Sequence, residues 1–538
     1  MNTQVFAMDE MNKRLQAAPQ QSTGEKKKPA HIDIDAMMRQ KPTAHEPTPE
    51  EIAAINGQAA PIRTAAPAPA EKMPTLQELI KAAQPEKCEL DELHAGRMLA
   101  KILKPRFCYN STAKRWSLYE AGLWSIDLRC TVQRYVKTVI EEILAYIAKH
   151  QSENETAKQA AIKFWSRYLQ KRNRDIMLDD AQKEITIPRE DFDTDTNLLH
   201  FTNGTLELDT MTFREHRAAD MLTKSTRTVY DRSATLPRWN KFISEILPDA
   251  DTRKHLQKCF GYALTGNPCE ERFFILYGNS TRNGKSTLLD SIATVFGDFA
   301  IAVNPATFAS VTHENSSAPN EDVARIAGTR LAVTSEPQQG MILNTAGIKR
   351  FTGKNKISAR FLQQNSFDFT PSCSIFFDTN YKMRVLDNTV FASDRVDLIT
   401  FPRHFSREER DTSLKQKFTT EQAKSAIMNW ILDGLFLYRK EGLIPPKQVQ
   451  ADTDQYAQES DKIAQFAADC IEAAGEKDWF TLPAAYDHFK TWTKENGFGT
   501  ENKTNFYSLM RARYGKEEQI WDSATSRNIR GIKGYRLT

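Results

Sequence analysis

The sequence predicts an α/β protein: a central parallel sheet wrapped by helices, with an α+β domain before it and a helix-and-hairpin module after it. Three observations carry this expectation. Phe273-Phe274-Ile275-Leu276-Tyr277 is a bulky apolar run that leads into a polar loop bounded by glycines and then a helical pattern ending at Phe296. Two more short apolar runs, Leu331-Ala332-Val333-Thr334 and Ser374-Ile375-Phe376-Phe377, have strand length, and unbroken apolar strands mark a sheet covered on both faces. On either side of this region the hydrophobic period changes, which separates it from its neighbours.

The 538 residues are enough for several domains. Hydrophobic content of 40% and charged content of 26% describe a globular chain. The net charge of +4 is too small to indicate a polyanionic partner by itself, so any such surface must come from local clusters of Lys and Arg. Seven cysteines, an odd count with no C-x-x-C spacing, and ten dispersed histidines argue against a disulfide framework and a structural zinc site. The first ten residues lack a basic patch followed by an apolar stretch, and nowhere do eighteen apolar residues run together. A cytoplasmic protein with no membrane partner is expected.

Four segments follow from composition and periodicity. Residues 1–74, rich in Pro, Ala, Gln and Lys, predict a disordered arm. Lys26-Lys27-Lys28 within it reads as a solvated cluster, and the Asp33/Asp35 pair lacks any domain to complete a polymerase site, so no primer synthesis is assigned. Residues 75–265 predict an α+β domain with helices over Val132–Ala148, Ala160–Leu169, Trp239–Leu247 and Asp251–Leu264, and a hairpin turn at Asn203-Gly204. Residues 266–455 hold the sheet. In residues 456–538, two amphipathic helices (Ile463 to Ala473 and Pro483 to Glu495), a basic helix near Asn505 to Tyr514 and a terminal hairpin give the order of a winged-helix module.

The chemistry concentrates in Gly278-Asn279-Ser280-Thr281-Arg282-Asn283-Gly284-Lys285-Ser286-Thr287. Strand, loop, Gly-Lys-Ser and helix make a P-loop, in which backbone N–H groups and a helix N-terminus cradle phosphates. Lys285 is placed to neutralise the β- and γ-phosphates of ATP, and the Ser286 hydroxyl to ligate Mg²⁺. Five residues rather than four separate the two glycines, and Asn279 stands where the first glycine belongs. The run from Arg330 ends in Glu336, an acid placed to hold the metal's water shell and polarise the attacking water. The next run ends in Asn380, whose amide can sense nucleotide state. Arg395 precedes a further apolar run, either as a finger entering a neighbouring subunit's site or in an ion pair with Asp394 or Asp397.

Between the second and third runs, Lys349, Lys354, Lys356 and Arg360 precede Gln363, Gln364 and Asn365 at the polar tip of an alternating stretch. Such a basic hairpin suits phosphate tracking on single-stranded DNA. Near the C-terminus Arg511, Arg513 and Arg530 belong to a candidate duplex- or origin-reading surface.

Taken together, the P-loop, the single acid after Leu331-Ala332-Val333-Thr334-Ser335, the basic stretch, Asn380 and Arg395 resemble a superfamily 3 helicase. The resemblance is to the C-terminal half of poxvirus- and phage-type primase–helicases and covers roughly residues 90 to 538. It implies an AAA+-like core, a homo-oligomer of hexameric kind with ATP sites between subunits, 3′-to-5′ movement on single-stranded DNA, and a separate primase or polymerase as partner. Several members have two adjacent acids in the second motif, whereas here Pro337 follows Glu336. Two other readings are an initiator that uses ATP as an assembly switch on origin DNA and a small-molecule P-loop kinase. The kinase leaves Asn380, Arg395 and the basic stretch without a role.

Overall fold

Arg63–Thr64, within the stretch expected to be a disordered arm, pairs in parallel with Thr212 and Phe213, and the next described element is a helix closed by local chemistry. The Thr75 hydroxyl accepts the Glu78 N–H at 3.3 Å while the Glu78 carboxylate accepts the Thr75 N–H at 2.7 Å, a capping box that starts helix Leu76–Ala83. The computed structural model describes residues 63–64, 73–151, 154–310, 320–362, 366–475, 477–499, 501–522 and 526–538. The expectations for Lys26–Lys28, Asp33, Asp35, Gln363, Gln364 and Asn365 lie outside the described residues.

The first module packs helices Glu92–Leu103, Thr131–Lys149, Glu155–Ser166 and Lys171–Glu184 around Leu99, Val139, Ile143 and Trp165. A four-stranded sheet of Leu123–Ile126, Arg115–Glu120, Phe107–Asn110 and Thr186–Ile187 lies beside them. Lys171–Glu184 was not expected from periodicity, because only Met177, Leu178 and Ala181 bury apolar surface on an otherwise charged helix. The expected hairpin is present: Leu198–Phe201 pairs with Gly204–Glu207, and Asn203 exchanges two hydrogen bonds with the Tyr230 backbone at 2.8 and 2.9 Å.

Within this module His200 stacks on His216 with ring centroids 4.2 Å apart, and its two nitrogens meet the Ser225 hydroxyl and the Ala121 carbonyl. Burial, reinforced by His216, pushes the His200 ring down to about 4. The folded state therefore binds fewer protons than the unfolded chain between about pH 4 and the ordinary histidine value near 6.5. Stability is expected to be fully present above that window and to fall as pH drops through it, by on the order of 1–3 kcal/mol from this ring. Denaturant melts from pH 7.5 to 4.5 check this: His200→Gln should flatten the slope, and an unchanged slope would contradict it.

Five parallel strands form the central sheet: β1 (Phe273–Tyr277), β2 (Ala300–Ala302), β3 (Leu331–Ser335), β4 (Ser374–Thr379) and β5 (Val396–Thr400), in spatial order β2-β3-β4-β1-β5. Their side chains alternate between two cores. Phe274 and Phe376 stack at 4.6 Å on one face and continue to Phe260, while Phe273, Ile275, Phe377 and Leu398 fill the other. Register brings the carboxyl ends of β3, β4 and β1 together, with Ser335 opposite Asp378 and Thr379 opposite Tyr277.

Helix Ala250–Leu264 packs backbone to backbone on helix Glu421–Glu441 where Gly261 meets Gly434. One core thus runs across the 265/266 boundary that composition suggests. Arg330, buried at the start of β3, reaches the carbonyls of Leu198 at 2.7 Å and of Leu264, and lies over the Phe299 ring. It ties the first module, the helix end and the sheet into one unit.

The C-terminal module contains helices Lys462–Cys470, Leu482–Glu495 and Lys503–Tyr514, followed by the antiparallel pair Glu518–Asp522 and Arg527–Lys533. The first helix stops at Cys470, short of the expected Ala473, because Ile471–Ala473 pairs with the last strand, Tyr535–Leu537. Among the described residues no helix is long and apolar enough to cross a membrane.

Candidate active site

The turn after β1 is shaped by steric exclusion. A Cβ on Gly278 would sit 2.1 Å from Asn283 Nδ2 and 3.1 Å from Lys285 Nζ. Gly284, at φ +86°, caps helix Lys285–Phe296, and a Cβ there would meet Ile246 at 2.4 Å. Asn283 Nδ2 donates to the Ser280 carbonyl at 2.7 Å, holding the loop curled. From outside, His404 Nδ1 contacts the Thr281 carbonyl at 2.7 Å and the Phe405 N–H donates to the Arg282 carbonyl at 2.9 Å. The loop is therefore a fixed cradle of backbone rather than a free connection.

Four side chains converge on it. Lys285 Nζ donates to Asn380 Oδ1 at 2.8 Å and lies 3.7 Å from Asp378, and the Ser286 hydroxyl donates to Asp378 at 2.9 Å. Glu336 follows β3 in a left-handed conformation (φ 54°), and its N–H donates to the Asp378 carbonyl at 2.9 Å. A non-glycine residue held there costs about 1–2 kcal/mol, the kind of local strain that collects at functional sites. Burial pushes the Asp378 carboxyl up, opposed by the Lys285 ammonium and reinforced by the nearby charge of Glu336. Burial likewise lowers Lys285, opposed by Asp378. Cation and carboxylate thus hold each other ionised in a site that favours neither alone.

The structure brings together Lys285, Ser286 and Asn380, and ties Glu336 to them through its backbone N–H on Asp378. It adds Asp378, which sequence reasoning missed. The available signal was an acid inside the fully buried strand Ser374–Thr379, since a buried carboxylate needs a cation or donor opposite it.

Arg395 does not join this cluster. It precedes β5 at the opposite end of the sheet, about 16 Å away by strand rise, and is held by Glu271 and by the Thr352 hydroxyl at 3.0 Å. The alternative reading, an ion pair with Asp394 or Asp397, is met by a different carboxylate, that of Glu271. Asp397 instead meets His255 and Arg272, each at 2.9 Å. Cys259 stands beside this buried group, and burial holds its thiol well above its usual range.

In the basic stretch, Lys349 is tied to Asp387 at 2.7 Å and to Thr389, while Lys354 and Lys356 are exposed. The hairpin's strands are Ile357–Ala359 and Phe367–Phe369, so its first strand lies before Leu362, where alternation alone placed it. Arg189 of the first module stacks over Phe361 and Phe367 at 5.2 and 4.7 Å, anchoring the hairpin base. Arg511 is tied to Glu517 at 2.8 and 2.9 Å, Arg513 contacts Tyr514, and Arg530 is exposed.

Parts of the chain resemble known proteins. A family model described as D5 N terminal like matches residues 96–248. The chain is 26% identical over 331 residues to the Acanthamoeba polyphaga mimivirus protein named "Putative helicase L207/L206", covering 57% of this chain and 34% of that protein. It is 26% identical over 377 residues to "Putative helicase 121R" of Invertebrate iridescent virus 3, covering 62% and 40%, and 24% identical over 204 residues to "Putative primase C962R" of African swine fever virus, covering 37% and 21%. The matched region therefore spans between about a fifth and two fifths of the length of these relatives. The apo structure of the NrS-1 C terminal region aligns with 83% of this chain and all of that one, at 10% identity and a TM-score of 0.47. Residues 96–248 thus resemble the D5 N terminal like family, and parts of the chain are similar to proteins of large DNA viruses that are named putative helicases and a putative primase.

Proposed function

We propose that this chain is an ATP-hydrolysing DNA helicase of superfamily 3, working as a hexameric ring that moves 3′ to 5′ on single-stranded DNA during replication of a phage, plasmid or related mobile element. The observation that carries the proposal is the meeting of Lys285, Ser286, Asp378 and Asn380 at the carboxyl ends of β1 and β4. The loop's backbone N–H groups and Lys285 bind the triphosphate. Ser286 and Asp378 offer adjacent oxygen donors, 2.9 Å apart, of the kind a hard divalent cation takes. Mg²⁺ held there would supply charge neutralisation on the β- and γ-phosphates. Glu336 polarises the attacking water, and Asn380 orients it against the γ-phosphate.

The strand order supports an AAA+-like core, in which ATP lies between subunits. Arg395, remote from its own P-loop, then serves the next subunit as a finger, exchanging Glu271 for a phosphate oxygen. Lys354, Lys356 and Arg360 track a single strand in the ring. The C-terminal module acts as a winged helix on origin or duplex DNA through Arg511, Arg513 and Arg530. A separate primase or polymerase completes replication.

Strand displacement on a 3′-tailed forked duplex tests the proposal. ATP-dependent release of the displaced strand, absent with a non-hydrolysable analogue, is the expected result. Hydrolysis and DNA binding without displacement would favour the ATP-switched initiator instead.

A further inference from the structure

Trp521 is 63% exposed, whereas the seven other tryptophans are buried or half-buried. It stands on the hairpin of the C-terminal module, where Gln519 faces Arg530, Ile520 faces Ile529 and Trp521 faces Asn528. Alternate residues of a strand share a face. Ile520 turns inward and is buried, while Gln519, Trp521, Asn528 and Arg530 together make an exposed face. Arg530 is the diagonal neighbour of the indole, within reach of a long side chain.

The make-up of this face selects its occupant. A protein-binding patch sets a Trp or Arg anchor within a wider apolar contact area, whereas among these four residues the indole is the one apolar side chain, beside two amides and a guanidinium. A groove of intact duplex offers phosphates and base edges, and an indole gains contact there only by unstacking a step. An unpaired base offers what this set can use: a π-face for the indole, edges for the amides and a phosphate or ring plane for the guanidinium. We infer that this face is a stacking platform for an unpaired DNA base, with Trp521 beneath the base, Arg530 on its backbone and Gln519 and Asn528 at its edges. The module would then hold the open strand at a junction as well as duplex. This rests on the DNA-unwinding reading above.

The test uses the full chain, a forked duplex with 2-aminopurine in the unpaired arm beside the junction, and a blunt duplex of the same sequence. Wild type is expected to quench 2-aminopurine on binding. Trp521→Ala should lose the quenching and bind the fork about tenfold more weakly, equivalent to ~1.4 kcal/mol, with less than a twofold change on blunt duplex. Trp521→Phe should keep most of both signals, and Arg530→Gln should weaken fork binding while leaving quenching. Equal losses on fork and blunt duplex, or a Trp521→Ala variant that quenches and binds like wild type, would overturn the platform. If wild type displaces strands while Trp521→Ala is indistinguishable from it, the platform alone falls. If wild type binds neither DNA, the helicase reading falls with it.

Discussion

Replacing Lys285 by alanine is expected to lower ATP turnover by a factor of a hundred or more, the usual loss when a charge-stabilising group is removed from a preorganised site. The side chain sits among Asn380, Asp378 and the backbone of Gly278, and no other ammonium is tied to this cluster among the described residues. Its removal does more than delete a contact. Asp378 would keep its buried carboxylate without the cation that holds it ionised, and an incoming triphosphate would meet negative charge. Steady-state phosphate release measures the effect. Asn380→Ala, which leaves the cation in place, should cost less, and equal turnover in wild type and Lys285→Ala would contradict the assignment.

The second large effect is structural. At the crossing of Ala250–Leu264 and Glu421–Glu441, a Cβ on Gly434 would lie 2.1 Å from the Gln257 carbonyl oxygen, and one on Gly261 would lie 2.1 Å from the Leu435 nitrogen. Both obstacles are backbone, so no side-chain rotation relieves them. Gly434→Val must push the helices apart, opening the core around Phe260 and Leu435 that supports β1 and β4 from beneath. Overpacking of this kind costs about 3 kcal/mol or more when backbone must move. Chemical denaturation should show that loss, while Gly499→Ala, with open space around its Cβ, should shift stability by no more than about 0.5 kcal/mol. A Gly434→Val protein as stable as wild type would mean that the crossing is looser than described.

These two sites differ in how well the sequence displays them. Strand, glycine loop, Lys285 and helix are contiguous, so local pattern reveals them, and Glu336 and Asn380 are legible as polar endings of apolar runs. Asp378 is hidden because its role depends on register: pairing of β4 with β3 sets it beside Ser335, and pairing of β4 with β1 brings it to Ser286. Arg395 meets Glu271, 124 residues earlier in the chain, a partner that no local window contains. The same limit applies to the helix crossing, where Gly261 and Gly434 look like ordinary helix-weakening residues until the two backbones meet. Helix Lys171–Glu184 escaped for the opposite reason: its charged surface hides a narrow apolar stripe.

The most direct measurement is an experimental structure of the chain with Mg²⁺ and a non-hydrolysable ATP analogue. The account predicts the β- and γ-phosphates in the Gly278–Ser286 loop, Lys285 Nζ transferred from Asn380 to phosphate oxygen, and the metal beside Ser286 and Asp378. A nucleotide bound elsewhere, with Lys285 still on Asn380, would contradict it.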